Sequence, residues 1–207
     1  MLETGRETGA ESSGGVAEQI AVAAVRLFAT RGYDATSVRE IAAAAGVTKP
    51  TLYYHFGSKE GLATALITGP MKRAIARARA MLAGPADPVS VLVGVTEDKF
   101  ADCRSDPDRW RFVLALAFGP HGSTLAADLG ELAAEMDGLL LEAVRRLADR
   151  GIIGADRVEA FSVCLRGLSV IHTLDFLYRG AGLEPGLADR LVSDLLRGFG
   201  RDRSVTT

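Results

Sequence analysis

The chain has 207 residues, 48% hydrophobic and 24% charged, a composition that buries a sizeable core in one large or two modest domains and excludes disorder over most of its length. A formal net charge of -2 excludes binding to polyanions through bulk charge, so any contact with nucleic acid rests on local placement of cations. Cys103 and Cys164 lack the spacing of a metal site or disulfide framework, and no apolar run reaches the length of a membrane span, which suits a reducing cytoplasm.

Residues 1–15, MLETGRETGAESSGG, are polar and glycine-rich, unlike a signal peptide, and read as a flexible arm. Val16, Ile20, Ala23, Ala24, Leu27 and Phe28 then recur at helical spacing, and Gly32 after Arg31 ends that helix. Ser37 and Glu40 have capping-box spacing, and Val38, Ile41, Ala42 and Ala45 give the helix they open a small apolar face. Gly46 stops it, and Val47 plugs the turn. Thr48 caps a second short helix with Pro50 in its first turn, where a missing N–H costs nothing. Leu52 and Phe56 point inward, which leaves Lys49, Thr51, Tyr53, Tyr54 and His55 off the buried face. A helix, a glycine-containing turn and a second helix rich in hydrogen-bond donors form the helix-turn-helix plan, whose second helix enters the major groove of DNA. Local charge has the right sign: residues 12–59 carry five cations against three acids.

The string GYDATSVREIAAAAGVTKPTLYYHFGSKEGL resembles the DNA-binding domain of the TetR family of transcriptional regulators, TLYYHF and the Ser-Lys-Glu step after it being the most specific part. The resemblance covers roughly the first third of the chain; beyond it only length and an all-helical pattern agree. It implies an all-α fold: an arm over residues 1–15, a helix-turn-helix domain over 16–66, a larger helical effector-binding and dimerisation domain over 67–200, and a disordered tail over 201–207. It also implies that Thr48, Lys49, Pro50, Thr51, Tyr53, Tyr54, His55 and Lys59 fall on positions that contact operator DNA. Lys49 and Thr51 suit base edges, since lysine can donate to guanine and the threonine methyl can touch thymine. Tyr53, Tyr54, His55, Thr48 and Lys59 suit phosphates, with bracing of the helix as the alternative for Tyr53.

Ser58 caps the next helix, and Gly69-Pro70 predicts a kink or break there, making residues 58–70 the hinge candidate. Lys72, Arg73, Arg77 and Arg79 follow as a solvated basic face. Asp87-Pro88 opens a helix with Leu92, Thr96, Phe100 and Cys103 on one stripe and Glu97 and Asp98 in solvent. Asp106-Pro107 opens another, with Trp110, Val113, Leu114 and Ala117 inward. Residues 128–149 repeat Leu129, Leu132, Met136, Leu140, Val144 and Leu147 before Gly151. Asp156 and Glu159 have capping-box spacing and open a helix to Tyr178 with two apolar faces, one through Phe161, Leu165, Leu168, His172 and Phe176, the other through Val163, Gly167, Val170, Leu174 and Leu177. Two faces need two partners, here the protein's own core and a second subunit. A last helix over residues 185–199, with Leu187, Leu191, Leu195 and Phe199, joins it in an intersubunit four-helix bundle, as the resemblance also implies.

Phe100, Trp110, Phe118, His121, His172, Asp175 and Phe176 are candidates for lining an effector cavity, with ordinary packing as the alternative for each. No catalytic constellation, metal motif or cofactor fingerprint is visible. The expectation is a cytoplasmic homodimeric repressor, away from membranes, released from palindromic double-stranded operator DNA by a small molecule. An effector-independent regulator or activator of the same fold stays open beside it, as does an all-α enzyme whose amino-terminal hairpin serves interaction only.

Overall fold

The computed structural model describes residues 9–119 and 124–199. Among these are nine α-helices: α1 Gly9–Arg31, α2 Val38–Ala44, α3 Lys49–Phe56, α4 Lys59–Ala83, α5 Pro88–Ser105, α6 Pro107–Phe118, α7 Thr124–Asp149, α8 Val158–Arg179 and α9 Leu187–Phe199. A short 3-10 turn, Ala155–Arg157, precedes α8, and the described residues contain no strand. The fold is all-α, as expected. Helix α1 starts at Gly9, so residues 9–15 are helical where a flexible arm was expected; they contain the good helix formers Ala10 and Glu11 and no proline. Residues 1–8, His121 and the tail over 201–207 lie outside the described residues.

The helices pack into two units. The first comprises the described residues of Met1–Pro70 together with Asp108–Leu129. A division at residues 66 and 67 therefore misses that α6 and the start of α7 belong with the amino-terminal helices. The reason is aromatic: Phe112 of α6 is buried with its ring centroid 4.8 Å from that of Phe28 on α1. Ile20, Ala24, Ile41, Leu52, Leu62 and Ala63 are completely buried in the same unit. The phase of α6 follows from Phe112: Arg109 and Leu114 are buried with it, Trp110 and Val113 are half-buried, and Ala117, expected inward, is exposed.

The second unit comprises Met71–Pro107 and the described part of Gly130–Thr207. Its core joins Ala78 and Leu82 of α4, Leu92 and Val95 of α5, Val144 and Leu147 of α7, Phe161 and Leu165 of α8, and Val192 and Leu195 of α9. The Leu92, Thr96, Phe100 and Cys103 stripe is buried as expected. Glu97 is not simply solvated: one of its oxygens accepts from Arg104 at 2.7 Å, and the other is buried without a partner. Arg104 also donates to the Leu183 carbonyl at 2.7 Å and so ties α5 to the segment before α9. On the basic face of α4, Arg77 pairs with Asp98 at 2.7 Å and Arg79 pairs with Glu135.

Helix α4 runs unbroken through Pro70, correcting the expected interruption. Buried Leu62, Ala63, Leu66 and Ile67 hold the turns before the proline, and buried Ile75, Ala78 and Leu82 hold those after it. Packing on both sides outweighs a cost of about 3 kcal/mol for proline in a helix interior.

Helix α8 departs from its expected pattern in two ways. Asp156 falls inside the 3-10 turn, so the Asp156/Glu159 capping box does not form, and the helix starts at Val158 without a side-chain cap. Its buried line is Phe161, Leu165, Ser169, Thr173 and Leu177, a stripe that crosses both expected faces. Ser169 and Thr173 can be buried because each hydroxyl donates to the carbonyl four residues back, at 2.7 and 2.8 Å. Val163, Leu168, Ile171 and Tyr178 remain exposed. With the preceding turn, the stretch Ala155–Arg179 contains an 18-residue window of mean hydropathy 1.3, long and apolar enough by composition to cross a membrane, contrary to the expectation that no such run exists. Its inner side packs on α5 and α9, and Arg166 on it pairs with Asp137 of α7 at 2.5 Å.

Candidate nucleic-acid interface

The connection between α1 and α2 is fixed first. Gly32, at φ 86°, donates its N–H to the Phe28 carbonyl at 3.0 Å, and the next residue, Tyr33, folds back so that its ring centroid is 5.2 Å from that of Phe28. An apolar residue packing just past a C-terminal glycine is a common helix stop. The buried Thr36 hydroxyl donates to the Gly32 carbonyl at 2.8 Å and closes the turn.

Ser37 then opens α2 through a complete capping box: its N–H donates to the Glu40 carboxylate at 2.8 Å, and the Glu40 N–H donates to its hydroxyl at 3.3 Å. The bonds from the Ser37 backbone and then its hydroxyl hold the Glu40 carboxyl below the usual carboxylate range, with Arg31, 3.0 Å away, adding to the effect. Helix α2 closes at Gly46, φ 67°, by paired bonds from Val47 N to the Ala42 carbonyl at 2.9 Å and from Gly46 N to the Ala43 carbonyl at 3.2 Å. This double closure sets the angle at which α3 leaves the turn.

Helix α3 has Thr48 as its cap, accepting from the Thr51 N–H at 3.3 Å, and Pro50 in its first turn. Leu52 is its completely buried anchor, and Phe56 is half-buried. The remaining side chains are those expected to meet DNA. Thr48, Lys49 and Pro50 are exposed, Tyr53 is 47% and Tyr54 83% exposed, and Thr51, His55 and Lys59 are half-buried. Tyr54, the more exposed of the two tyrosines, contributes nothing to the core; its ring meets the edge of His55, with centroids 5.2 Å apart.

Thr48, Thr51 and Lys59, all expected to face DNA, have internal partners. The Thr48 and Thr51 hydroxyls are 2.8 Å apart, so one serves the other as well as the cap. The Lys59 ammonium stands 4.2 Å from the centroid of the Tyr33 ring. Sequence reasoning gave Tyr33 no role, although its place directly after Gly32 is the available signal. The step from α3 to α4 is tight: Ser58 caps α4 by accepting from the Gly61 N–H at 2.8 Å, and a Cβ on Gly61 would run into the Phe56 carbonyl oxygen. Only glycine fits there.

The effector candidates are not gathered in this way. Phe100, His172, Asp175 and Phe176 belong to the second unit, Trp110 and Phe118 to the first. Phe100 is completely buried; Trp110, His172, Asp175 and Phe176 are half-buried, Asp175 accepting from Arg179 at 2.8 Å; Phe118 is 69% exposed. A cleft of about 840 Å³ in the first unit runs along α1 past Glu18, Val22, Arg26 and Thr30 to Ala44 and Ala45 of α2, and none of these candidates lines it. The second unit holds a charged residue that sequence reasoning missed. Lys99, one turn from Cys103 on the buried side of α5, has its ammonium ionisation pulled down to about 8, chiefly by desolvation, while Cys103 and Asp137 act in the opposite direction. The residue as a whole is half-buried, its charged end more deeply so. Its spacing from Leu92, Thr96 and Cys103 on the buried stripe was the signal.

A capped two-helix unit that presents lysine, threonine and tyrosine side chains on its second helix, with a cationic helix start beside it, has the arrangement of a helix-turn-helix reader. Residues 20–66 match the family described as bacterial regulatory proteins, tetR family. The repressor KstR2 of Mycobacterium tuberculosis is 40% identical over 72 residues, 35% of this chain and 36% of that protein. The activator FasR of Mycolicibacterium smegmatis is 34% identical over 95 residues, 46% of this chain and 43% of that protein. The matched segments thus span less than half the length of these relatives. Among solved structures, KstR2 superposes with a TM-score of 0.71 at 22% identity, over 96% of this chain and 99% of that one. FadR from Bacillus subtilis, solved in complex with stearoyl-CoA, gives 0.69 at 22% identity, over 88% and 98%. At that identity the structures speak for the fold.

Proposed function

We propose that this chain is one protomer of a homodimeric repressor that holds a palindromic operator through α3 and releases it when a small molecule binds the helical body. The observation that carries the reading is α3 itself: a helix of eight residues anchored by Leu52, with Lys49, Tyr53 and Tyr54 exposed. In this reading Lys49 and Thr51 meet base edges, and Thr48, Pro50, Tyr53, Tyr54, His55 and Lys59 line the phosphate backbone. The dimer forms through α8 and α9. Support comes from Val163, Leu168, Ile171 and Tyr178, apolar and exposed on a helix whose other side is core. Closed two-fold symmetry would set the two copies of α3 about 34 Å apart, one turn of DNA.

Effector binding belongs to the helices beyond the reader, with Phe100, His172, Asp175 and Phe176 of the second unit as the candidate lining. KstR2 is a ketosteroid regulator by name and FadR was solved in complex with stearoyl-CoA, so a long-chain acyl thioester and a ketosteroid are the effectors to try first. Ligand affinity must differ between two states of the dimer, and a coupling of about 1–3 kcal/mol changes operator affinity roughly 5- to 150-fold. The protein acts in the cytoplasm, where its operator is. A second reading, activation of transcription, is favoured by FasR, an activator.

The test is a mobility shift with DNA flanking the protein's own gene, repeated with stearoyl-CoA and a ketosteroid, beside light scattering for oligomeric state. A retarded dimer released by one of them is the expected result. A monomer, or no shift on any flanking DNA at low salt, would overturn the proposal, and raised transcription from the bound promoter would select the second reading.

A further inference from the structure

The ring of Tyr33 stands between the α3–α4 step and α6, both in the first packing unit. Against one side lies the Lys59 ammonium, 4.2 Å from the ring centroid. On another side are Phe28, with centroids 5.2 Å apart, and Phe112 of α6, 6.2 Å away and nearly parallel at 20°. Phe28 and Phe112 touch in turn at 4.8 Å, so the three rings form a closed triangle that leaves Tyr33 little freedom. Burial, then the charges of Glu60 and Asp34, push the Tyr33 hydroxyl above the usual tyrosine range, so the ring stays a neutral phenol at working pH.

A lysine ammonium on a four-carbon stem is a poor fixed contact, because holding it at one phosphate costs several rotors their freedom. An aromatic face attracts the ammonium through its quadrupole without using any of its three N–H donors. A lysine parked on a ring is therefore placed in advance and still able to donate.

We propose that Tyr33 is a positioning residue that holds Lys59 ready for one backbone phosphate at the start of α4, and that Phe112 makes this hold depend on how α6 is seated. The proposal rests on reading Lys59 as a phosphate contact. It gives α6 a direct mechanical hold on a DNA-facing charge.

The test measures the salt dependence of binding to a duplex selected from a random pool by the full-length protein. It compares wild type with Lys59→Met, Tyr33→Leu, Tyr33→Phe, Phe112→Leu and the double variant Tyr33→Leu/Lys59→Met. A lost phosphate contact makes the log–log slope shallower by about 0.9 per protomer engaged. Lys59→Met and Tyr33→Leu should each lose about that much, and the double variant no more than Lys59→Met alone. Tyr33→Phe, which keeps the ring, should match wild type, and Phe112→Leu should lose part of the slope with both partners still present. In the free protein the Lys59 ε-methylene protons should show an upfield ring-current shift, kept in Tyr33→Phe and lost in Tyr33→Leu. An unchanged slope in Lys59→Met with the ring-current shift present would overturn the phosphate contact. A lowered slope in Lys59→Met beside a normal slope in Tyr33→Leu, or additive losses, would overturn the positioning role alone. A normal slope in Phe112→Leu would remove the α6 link.

Discussion

In the first packing unit, Ser37, Gly46, Thr48 and Ser58 each act on backbone groups within a few residues of themselves, through short bonds that their spacing announces. In the second, Phe161, Leu165 and Lys99 take their surroundings from helices far along the chain. The first kind of position is set by local stereochemistry and survives in any context. The second depends on which helix arrives opposite. A DNA reader gains from the first kind, because a short helix can aim exposed side chains only if both its ends are fixed without help from them.

The comparison can be broken at its most costly point in the second unit. The Lys99 ammonium is charged both folded and unfolded below about pH 8, and the folded state carries the desolvation penalty. Between about 8 and 10.5 the unfolded chain holds the proton that the folded one has shed, so wild-type stability should rise with pH through that window. Lys99→Met should raise stability at pH 7 by up to about 3 kcal/mol, and its advantage should fade as pH climbs toward 10.5, as read by urea midpoints across pH. A pH-independent difference would mean that the lysine acts through packing alone.

Gly61→Ala is the corresponding strike at the first unit. Its new methyl meets a backbone oxygen rather than a yielding side chain, so the α3–α4 step must open at a cost of about 2 kcal/mol, with DNA binding falling further than stability. Gly138→Ala in α7, which meets nothing within 4 Å, should instead stabilise slightly. Equal effects on melting temperature from the two would contradict the tight step.

Smallest is Ser37→Ala, which removes the cap of α2 and should cost about 1 kcal/mol. Glu40 supplies the other half of the box. Because its folded carboxyl ionises below the usual range, its contribution is complete above that range and is lost as pH falls through the depressed value. The gap between wild type and Ser37→Ala should therefore narrow in acid, which thermal melts at falling pH would reveal.

Much of the fold was legible for the reason this comparison supplies. The caps at Ser37, Thr48, Ser58 and Asp87 and the stops at Gly32, Gly46 and Gly151 are local, and each stands where spacing put it. What escaped was decided by partners. Pro70 looks like a break until both flanks of α4 are seen to be buried, and α6 reads as facing inward at Trp110 until Phe28 claims Phe112. Asp156 has a cap's spacing but lies in a 3-10 turn, and Ser169 and Thr173 sit on the buried line of α8 because their hydroxyls find carbonyls one turn back. At the candidate interface the exposed set on α3 was legible residue by residue, whereas the contact between Tyr33 and Lys59 joins side chains that share no helix. The effector candidates were chosen by residue type alone, and their division between two units marks the limit of that signal.

The central claim is that α3 reads DNA with divided roles, and binding constants for a selected duplex and its single-base variants test it most directly. Tyr54→Phe should weaken every duplex alike, by about five- to tenfold for a lost phosphate bond. Lys49→Ala should change the ranking among variants at one base position, by about 1–3 kcal/mol of discrimination. An altered ranking from Tyr54→Phe together with uniform weakening from Lys49→Ala, or no effect from either, would contradict the account.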